Sequence, residues 1–247
     1  MRKLLIFLTT LFVYVNNIIA KDIIMADFSK NKINIDVGFN GAKLLFFGVI
    51  DDEGDVVVSV TGPRESIKVR KKERKLGLWI NTDFKTFYDV PSYYFVASTK
   101  PLDQLNANEA LRINQIGIKN IRFEGAEEEV KKDRDLWKSG IIDTMIKLGR
   151  YTPEQGSINI SNQRLFKTEL NFSSEIIDGA YIVDTLLIKE GNVIAVKRSF
   201  INVSKYGLGE KIYTMATEKG LIYGILAVFF ALVFGFTVNE TIRRFNA

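Results

Sequence analysis

Seven cations fall within twelve residues: Arg64, Lys68, Arg70, Lys71, Lys72, Arg74 and Lys75, offset by Glu65 and Glu73. Cations this dense can recognise a small anion, a lipid headgroup or an acidic partner. Arg64, Lys68, Arg70 and Lys72 are the candidate contacts. The competing reading is a solvated strand whose charges guard a hairpin end against edge pairing, and it carries more weight. A second cluster, Asp51, Asp52, Glu53 and Asp55 around Gly54, supplies oxygens that calcium could use. Its spacing does not follow the calcium-loop pattern, and an acidic turn is the preferred reading. Ser29 to Lys32 fits S-x-x-K, but no K-T-G accompanies it. Neither a Walker-type loop nor G-x-G-x-x-G occurs.

The chain contains no histidine and no cysteine. That removes the commonest general base, the thiolate nucleophile and the usual ligands of zinc, copper and iron. No catalytic, cofactor-binding or metal-binding residue is therefore assigned, and no cofactor is implied. An exported domain without disulfides must be held by its core alone. The formal charge of +5 is too small to argue for nucleic acid.

What positions any such site is a membrane anchor. Gly220 to Val238 is nineteen uncharged residues, twelve of them Leu, Ile, Val or Phe. As a helix it spans roughly 28 Å, close to the hydrocarbon thickness of a bilayer. Gly220, Gly224, Ala227, Ala231 and Gly235 lie within about 80° of one face at 100° per residue. Gly220 and Gly224 make the small-residue pair that lets two helix backbones approach closely. This predicts contact with another integral membrane protein or with a second copy. At the other end, Arg2 and Lys3 precede an apolar run from Leu4 to Val15, with Ala20 at a plausible cleavage point. Residues 1–20 are expected to be a signal peptide, although Ile18 is a poor match at its position and an uncleaved anchor is the alternative. The signal, rather than the loop charges, then orients the chain, with residues 21–205 in the periplasm and 239–247 in the cytoplasm.

The body reads as mainly β. Short alternating or continuous apolar runs, separated by turn residues, recur from 32 to 98 and again from 165 to 203. Lys189-Glu190-Gly191-Asn192 is a strong hairpin signal. Between the two β parts, residues of about 101–150 change to a helical period. Leu105, Ala110, Leu111 and Ile113 fall on one side of a short helix. Ala126, Val130, Trp137, Ile141, Met145 and Leu148 mark a longer one that starts at Glu127, Glu128 and Glu129. The second β part is too small to bury a core by itself. The expected architecture is therefore one Ig-like antiparallel β-sandwich with an inserted helical segment, with two small domains as the alternative. Residues 206–219 are expected to continue as a juxtamembrane helix into the span.

Three stretches resemble a known family. They are VVVSVTGPRESIKVRKKERKLGLWIN (56–81), VPSYYFVAS (90–98) and DGAYIVDTLLIKEGNVIAVKRSFINVSKYG (178–207). Gly62, Pro63, Val69, Arg70, Lys72, Gly77, Trp79, Asn81, Pro91 and Tyr94 stand in the order of an alphaproteobacterial transmembrane protein family of unassigned function. The segment SSEII before Asp178 departs from it by lacking prolines. The resemblance implies a single-span inner-membrane protein with an external β domain, encoded beside permeases of the sulfite/anion exporter type. It implies no catalytic residues. On physical grounds Gly77 suits a turn with positive φ, Pro63 and Pro91 punctuate strands, and Trp79 and Tyr94 are expected in the core. Three functions follow in order. The first is a membrane-anchored periplasmic accessory protein partnering an anion exporter. The second is a small-anion-binding module. The third is a carboxylate-based enzyme, least favoured because the usual acid-base groups are missing.

Overall fold

The structure is a computed structural model that describes residues 23–125 and 134–245. The expected signal peptide lies outside the described residues. So do the helix start at Glu127–Glu129, with Ala126 and Val130, and the last two residues of the expected tail.

Strands β1 (Ile24–Phe28), β2 (Lys32–Ile35), β3 (Ala42–Ile50) and β4 (Asp55–Thr61) lead into the long pair β5 (Arg64–Lys75) and β6 (Leu78–Pro91), then β7 (Tyr94–Ser98). A 3₁₀ turn (Leu102–Leu105), helix α1 (Asn108–Ile113), a second 3₁₀ turn (Ile118–Asn120), short β8 (Glu124–Gly125) and helix α2 (Arg134–Lys147) follow. β9 (Gly156–Ser157), β10 (Asn159–Ser161), β11 (Leu165–Phe172), β12 (Gly179–Lys189) and β13 (Asn192–Lys205) complete the body. Helices α3 (Leu208–Glu218) and α4 (Gly220–Phe245) carry the chain away.

Two sheets pack face to face. One has the order β1-β3-β11-β10, the other β2-β13-β12-β4-β7-β9. Both β parts of the sequence contribute to each: β11 pairs with β3, and β12 pairs with β4. The pairing is antiparallel except at the rims of the larger sheet, where β2 runs parallel to β13 and β9 parallel to β7. These parallel rims depart from the wholly antiparallel expectation. The chain between each parallel pair, residues 36–191 and 99–155, is far longer than the crossover that parallel pairing requires.

The burial patterns explain the sequence runs. β11 alternates strictly, burying Phe166, Thr168, Leu170 and Phe172, because only one face of its sheet is covered. β4 and β7 are buried on both faces. Val56, Val58, Val60, Phe95 and Ala97 enter the core between the sheets. Val57, Tyr94 and Val96 point the other way, into a second core beneath the helical insertion with Leu111, Ile116, Trp137, Ile141 and Met145. The larger sheet is thus the middle of three layers. Ile113, expected on the buried side of its helix, is largely exposed.

The strand β6 was not anticipated. Its residues mix apolar and polar types without a sustained period. It pairs with β5 along its length to form a third sheet, which β8 joins at the foot.

Candidate functional site

The hairpin β5–β6 gathers most of the residues that the sequence marks. At its foot, the Gly62 N–H donates to Tyr93 O (2.9 Å), and Pro63 O accepts from the Ser92 N–H (2.8 Å). A Cβ at Gly62 would sit 2.6 Å from Ser92 Oγ and 2.8 Å from Tyr93 Cβ, so this crossing requires glycine. Arg64 is tied down by Asp89, its guanidinium donating to Oδ2 at 2.8 Å and to the backbone O at 2.9 Å. Pro91 O accepts from the buried Tyr151 hydroxyl at 2.7 Å.

Tyr94, buried as expected, anchors the helical insertion. Its hydroxyl donates to Gln115 O at 2.8 Å and accepts from the Gly117 N–H at 2.7 Å. Burial pushes the phenols of Tyr93, Tyr94 and Tyr151 well above their usual value, and that of Tyr181 up to about 12. A neutral phenol is favoured wherever water is excluded from the ring oxygen.

Further out the hairpin changes character. Lys68, Arg70, Lys72 and Arg74 alternate along β5 and are all exposed on one face. Successive members stand roughly 7 Å apart at strand spacing. Lys68 sits over the Phe84 ring, 3.9 Å from its centroid. Lys71 pairs with Glu73 at 3.0 Å, which holds the Glu73 carboxyl below the usual range by hydrogen bond and charge. Arg70 and Lys72 have no ion pair among the described residues. So the structure brings together three of the four candidate cations, Lys68, Arg70 and Lys72. It separates Arg64, which serves the hairpin foot. The cations line an open strand rather than converging on a cavity.

Trp79 corrects an expectation. It is 69% exposed, opposite Arg74 near the hairpin tip, and not in the core. The reason is coverage: among the described residues, no layer lies over either face of the outer half of the hairpin, so even a tryptophan there is left exposed. Asn81, opposite Lys72, is exposed too. Gly77 fulfils its turn role with φ +84, but Leu76 before it also has positive φ (51°). Two such residues between Lys75 and Leu78 make the tight turn that follows strand twist. A leucine held there costs about 1–2 kcal/mol of backbone strain that asparagine or glycine would largely avoid. Leu76 is fully exposed, and Leu78, Ile80 and Phe84 are exposed with it. Sequence reasoning missed these four. The available signal was Leu-Gly set between a charged run and Leu-Trp-Ile, which reads as two strands around a turn.

The acidic turn is engaged elsewhere. Asp52 pairs with Lys189 at 3.0 Å, and Asp55 accepts from Thr99 Oγ1 and Lys100 Nζ at 2.9 and 3.0 Å. Among the described residues, no group of three or more acidic side chains converges as a metal site would need. A cleft of about 520 Å³ opens between the larger sheet and the insertion, lined by Tyr94, Leu102, Leu111, Ile116, Thr152 and Gln155. Asp103, Lys119 and Glu154 also line it, and its Gln155 is already engaged: it donates to Ser98 Oγ and Lys100 O and accepts from the Leu102 N–H.

Helix α4 carries Gly220–Asn239, 20 residues of mean hydropathy 2.5, long and apolar enough to cross a bilayer. A Cβ at Gly220, Gly224 or Gly235 would meet nothing within 4 Å, so the small-residue stripe with Ala227 and Ala231 faces open space. The approach to the span is not one continuous helix. Lys219 leaves helical geometry (φ −131, ψ 47) and breaks α3 from α4, although the Tyr223 N–H still reaches its carbonyl.

No curated protein matches this chain significantly. A family model does, over residues 23–244, its description being "Putative transmembrane protein (Alph_Pro_TM)". That match spans both β parts, the helical insertion, the hairpin and the apolar helix, so the chain belongs to this transmembrane protein family.

Proposed function

We propose that the protein is a non-enzymatic accessory subunit, anchored in the bacterial inner membrane by one helix, with its β body in the periplasm. The span docks through Gly220, Gly224, Ala227, Ala231 and Gly235 on an integral membrane partner. The observation that carries this reading is that stripe of small residues, open at Gly220, Gly224 and Gly235, on a helix long and apolar enough to cross a bilayer. Small residues allow backbone approach, which is how helices associate where lipid supplies no hydrophobic drive. An anion-exporter permease is the partner that the family resemblance implies.

The test is affinity purification of the full chain from native membranes, with Gly224→Leu beside it. The native chain should retain one integral membrane protein that Gly224→Leu loses. Recovery of no partner by either form, or equal recovery by both, counts against the proposal; recovery of only a second copy replaces the permease with a homodimer. A second reading, capture of a small anion such as sulfite, draws on Arg70 and Lys72 having no ion pair among the described residues. It requires sulfite to raise the melting temperature of the full chain, and Arg70→Ala to abolish the rise.

A further inference from the structure

We propose that the β5–β6 hairpin inserts its tip into an anionic phospholipid surface, that of the bilayer holding the chain's own span. This does not rest on any protein partner; it needs only the anchor. Four observations converge on it.

The tip is apolar in its turn and along β6, while β5 beside it is charged. Leu76, Leu78 and Trp79 are 103%, 70% and 69% exposed, with Ile80 behind them. Tryptophan with aliphatic neighbours is the side-chain set that settles at the boundary between headgroups and acyl chains. Leu76 also occupies a strained backbone position at the outermost point, where a polar turn residue would relax the chain. Folding gains nothing from that leucine, since it touches no core.

Cations flank the apolar tip and continue behind it: Lys75 and Arg74 stand opposite Leu78 and Trp79, and Lys72 and Arg70 lie further back opposite Asn81 and Phe84. Arg70, Lys72 and Arg74 share one exposed face, and Lys75 flanks the turn. An apolar turn and β6 end, with cations beside them and up to six residue pairs back, suits a boundary where acyl chains meet phosphates. Long Lys and Arg side chains lie along apolar surface with their heads at the phosphates.

The hairpin starts at the end of the body from which the span departs. β4 ends there at Thr61 and β13 at Lys205. Gly179, paired with Val203 of β13, packs so closely on the Pro63 ring that a Cβ would collide with it. The ion pair Lys205–Asp178 (3.0 Å) closes the same corner. The opposite end holds the turn Asp51–Gly54, joined to Lys189.

Reach is sufficient. α3 has 11 residues, about 16 Å of helix before the span begins. The twelve residues of β5 extend about 40 Å from the hairpin foot.

The chain has no cysteine, so one introduced thiol can be labelled uniquely. Full-length Leu76→Cys, carrying an environment-sensitive fluorophore, is reconstituted into two kinds of vesicle. One is phosphatidylcholine alone; the other is equal parts phosphatidylcholine and phosphatidylglycerol, each with a brominated-chain fraction. Glu53→Cys, at the far end of the sheet, is the control. The Leu76 label should shift to the blue and be quenched by brominated chains in the anionic vesicles, while Glu53→Cys is not. Arg70→Gln combined with Lys72→Gln should weaken the anionic preference roughly 25-fold, at about fivefold per cation near such a surface. A label that stays in water in both vesicles overturns the proposal. Equal quenching in phosphatidylcholine alone overturns its anionic part. Shielding that appears only after membrane extract is added overturns it in favour of a protein occupant. Because Leu76 makes no core contact, its replacement leaves the fold testable, and unchanged thermal unfolding of the labelled protein confirms this.

Discussion

Replacing Tyr94 by phenylalanine tests how the helical insertion is held on the body. The ring stays, so core volume, the contact with Tyr151 at 5.9 Å and the strand β7 are all preserved. The hydroxyl goes, and with it two bonds: the one donated to Gln115 O and the one accepted from the Gly117 N–H. Both partners lie in the loop between α1 and the second 3₁₀ turn, beside the fully buried Ile116. Each bond contributes about 1 kcal/mol, and a donor left without a partner away from water costs about 1–3. The sum is about 2–3 kcal/mol. For a body of this size that lowers the melting temperature by roughly 4–12 °C. The assay is thermal unfolding of the full chain in detergent, with Tyr213→Phe, 65% exposed, as the neutral comparison. Amide exchange should also accelerate at Gly117. A melting temperature within a degree of the native protein, with unchanged exchange at Gly117, would refute the reasoning and move the anchoring to the apolar contacts alone.

Two further outcomes follow from buried polar groups. Burial raises the phenol values of Tyr93, Tyr94 and Tyr151 in the folded state, so their contribution is intact below the unfolded phenol value of about 10 and is lost as pH rises beyond it. Three phenols give a loss of about 4 kcal/mol per pH unit above 10. Circular dichroism followed with tyrosinate absorbance should show the fold lost only above about pH 11, where that slope first exhausts a stability of at least about 5 kcal/mol; ionisation of all three before unfolding would contradict this. The Thr185 hydroxyl is fully buried with no hydrogen-bond partner among the described residues. Thr185→Val should therefore raise stability by about 1 kcal/mol in urea unfolding, and a loss of similar size would show that the hydroxyl has a partner.

Several elements were legible because their cause is local. The run Gly220 to Val238 needs only length and lack of charge to read as a span. Lys189 to Asn192 needs only its turn chemistry, and the structure gives Glu190 and Gly191 the positive φ that such a turn requires. β11 shows its buried face as alternation, and β3 reads as a strand through its continuous apolar run between turn residues. By contrast, β6 is hidden, since a strand that no described residue covers on either face of its outer half has no reason to alternate. Its turn also lacks the usual Asn-Gly or Asp-Gly signal.

The sequence alone determined that an apolar helix ends the chain, that a disulfide-free β body precedes it, and that histidine and thiol chemistry are excluded. These depend on residue type and short-range period. Tertiary structure alone decided which faces are covered. It placed Val56 to Val60 between two cores and left Trp79 in the open. It also gathered Gly62, Pro63, Gly77, Trp79, Asn81 and Pro91 onto one hairpin at the corner where the span departs. Coverage depends on strands that are distant in the chain, such as β12 bringing Gly179 against Pro63, and no local period carries that information.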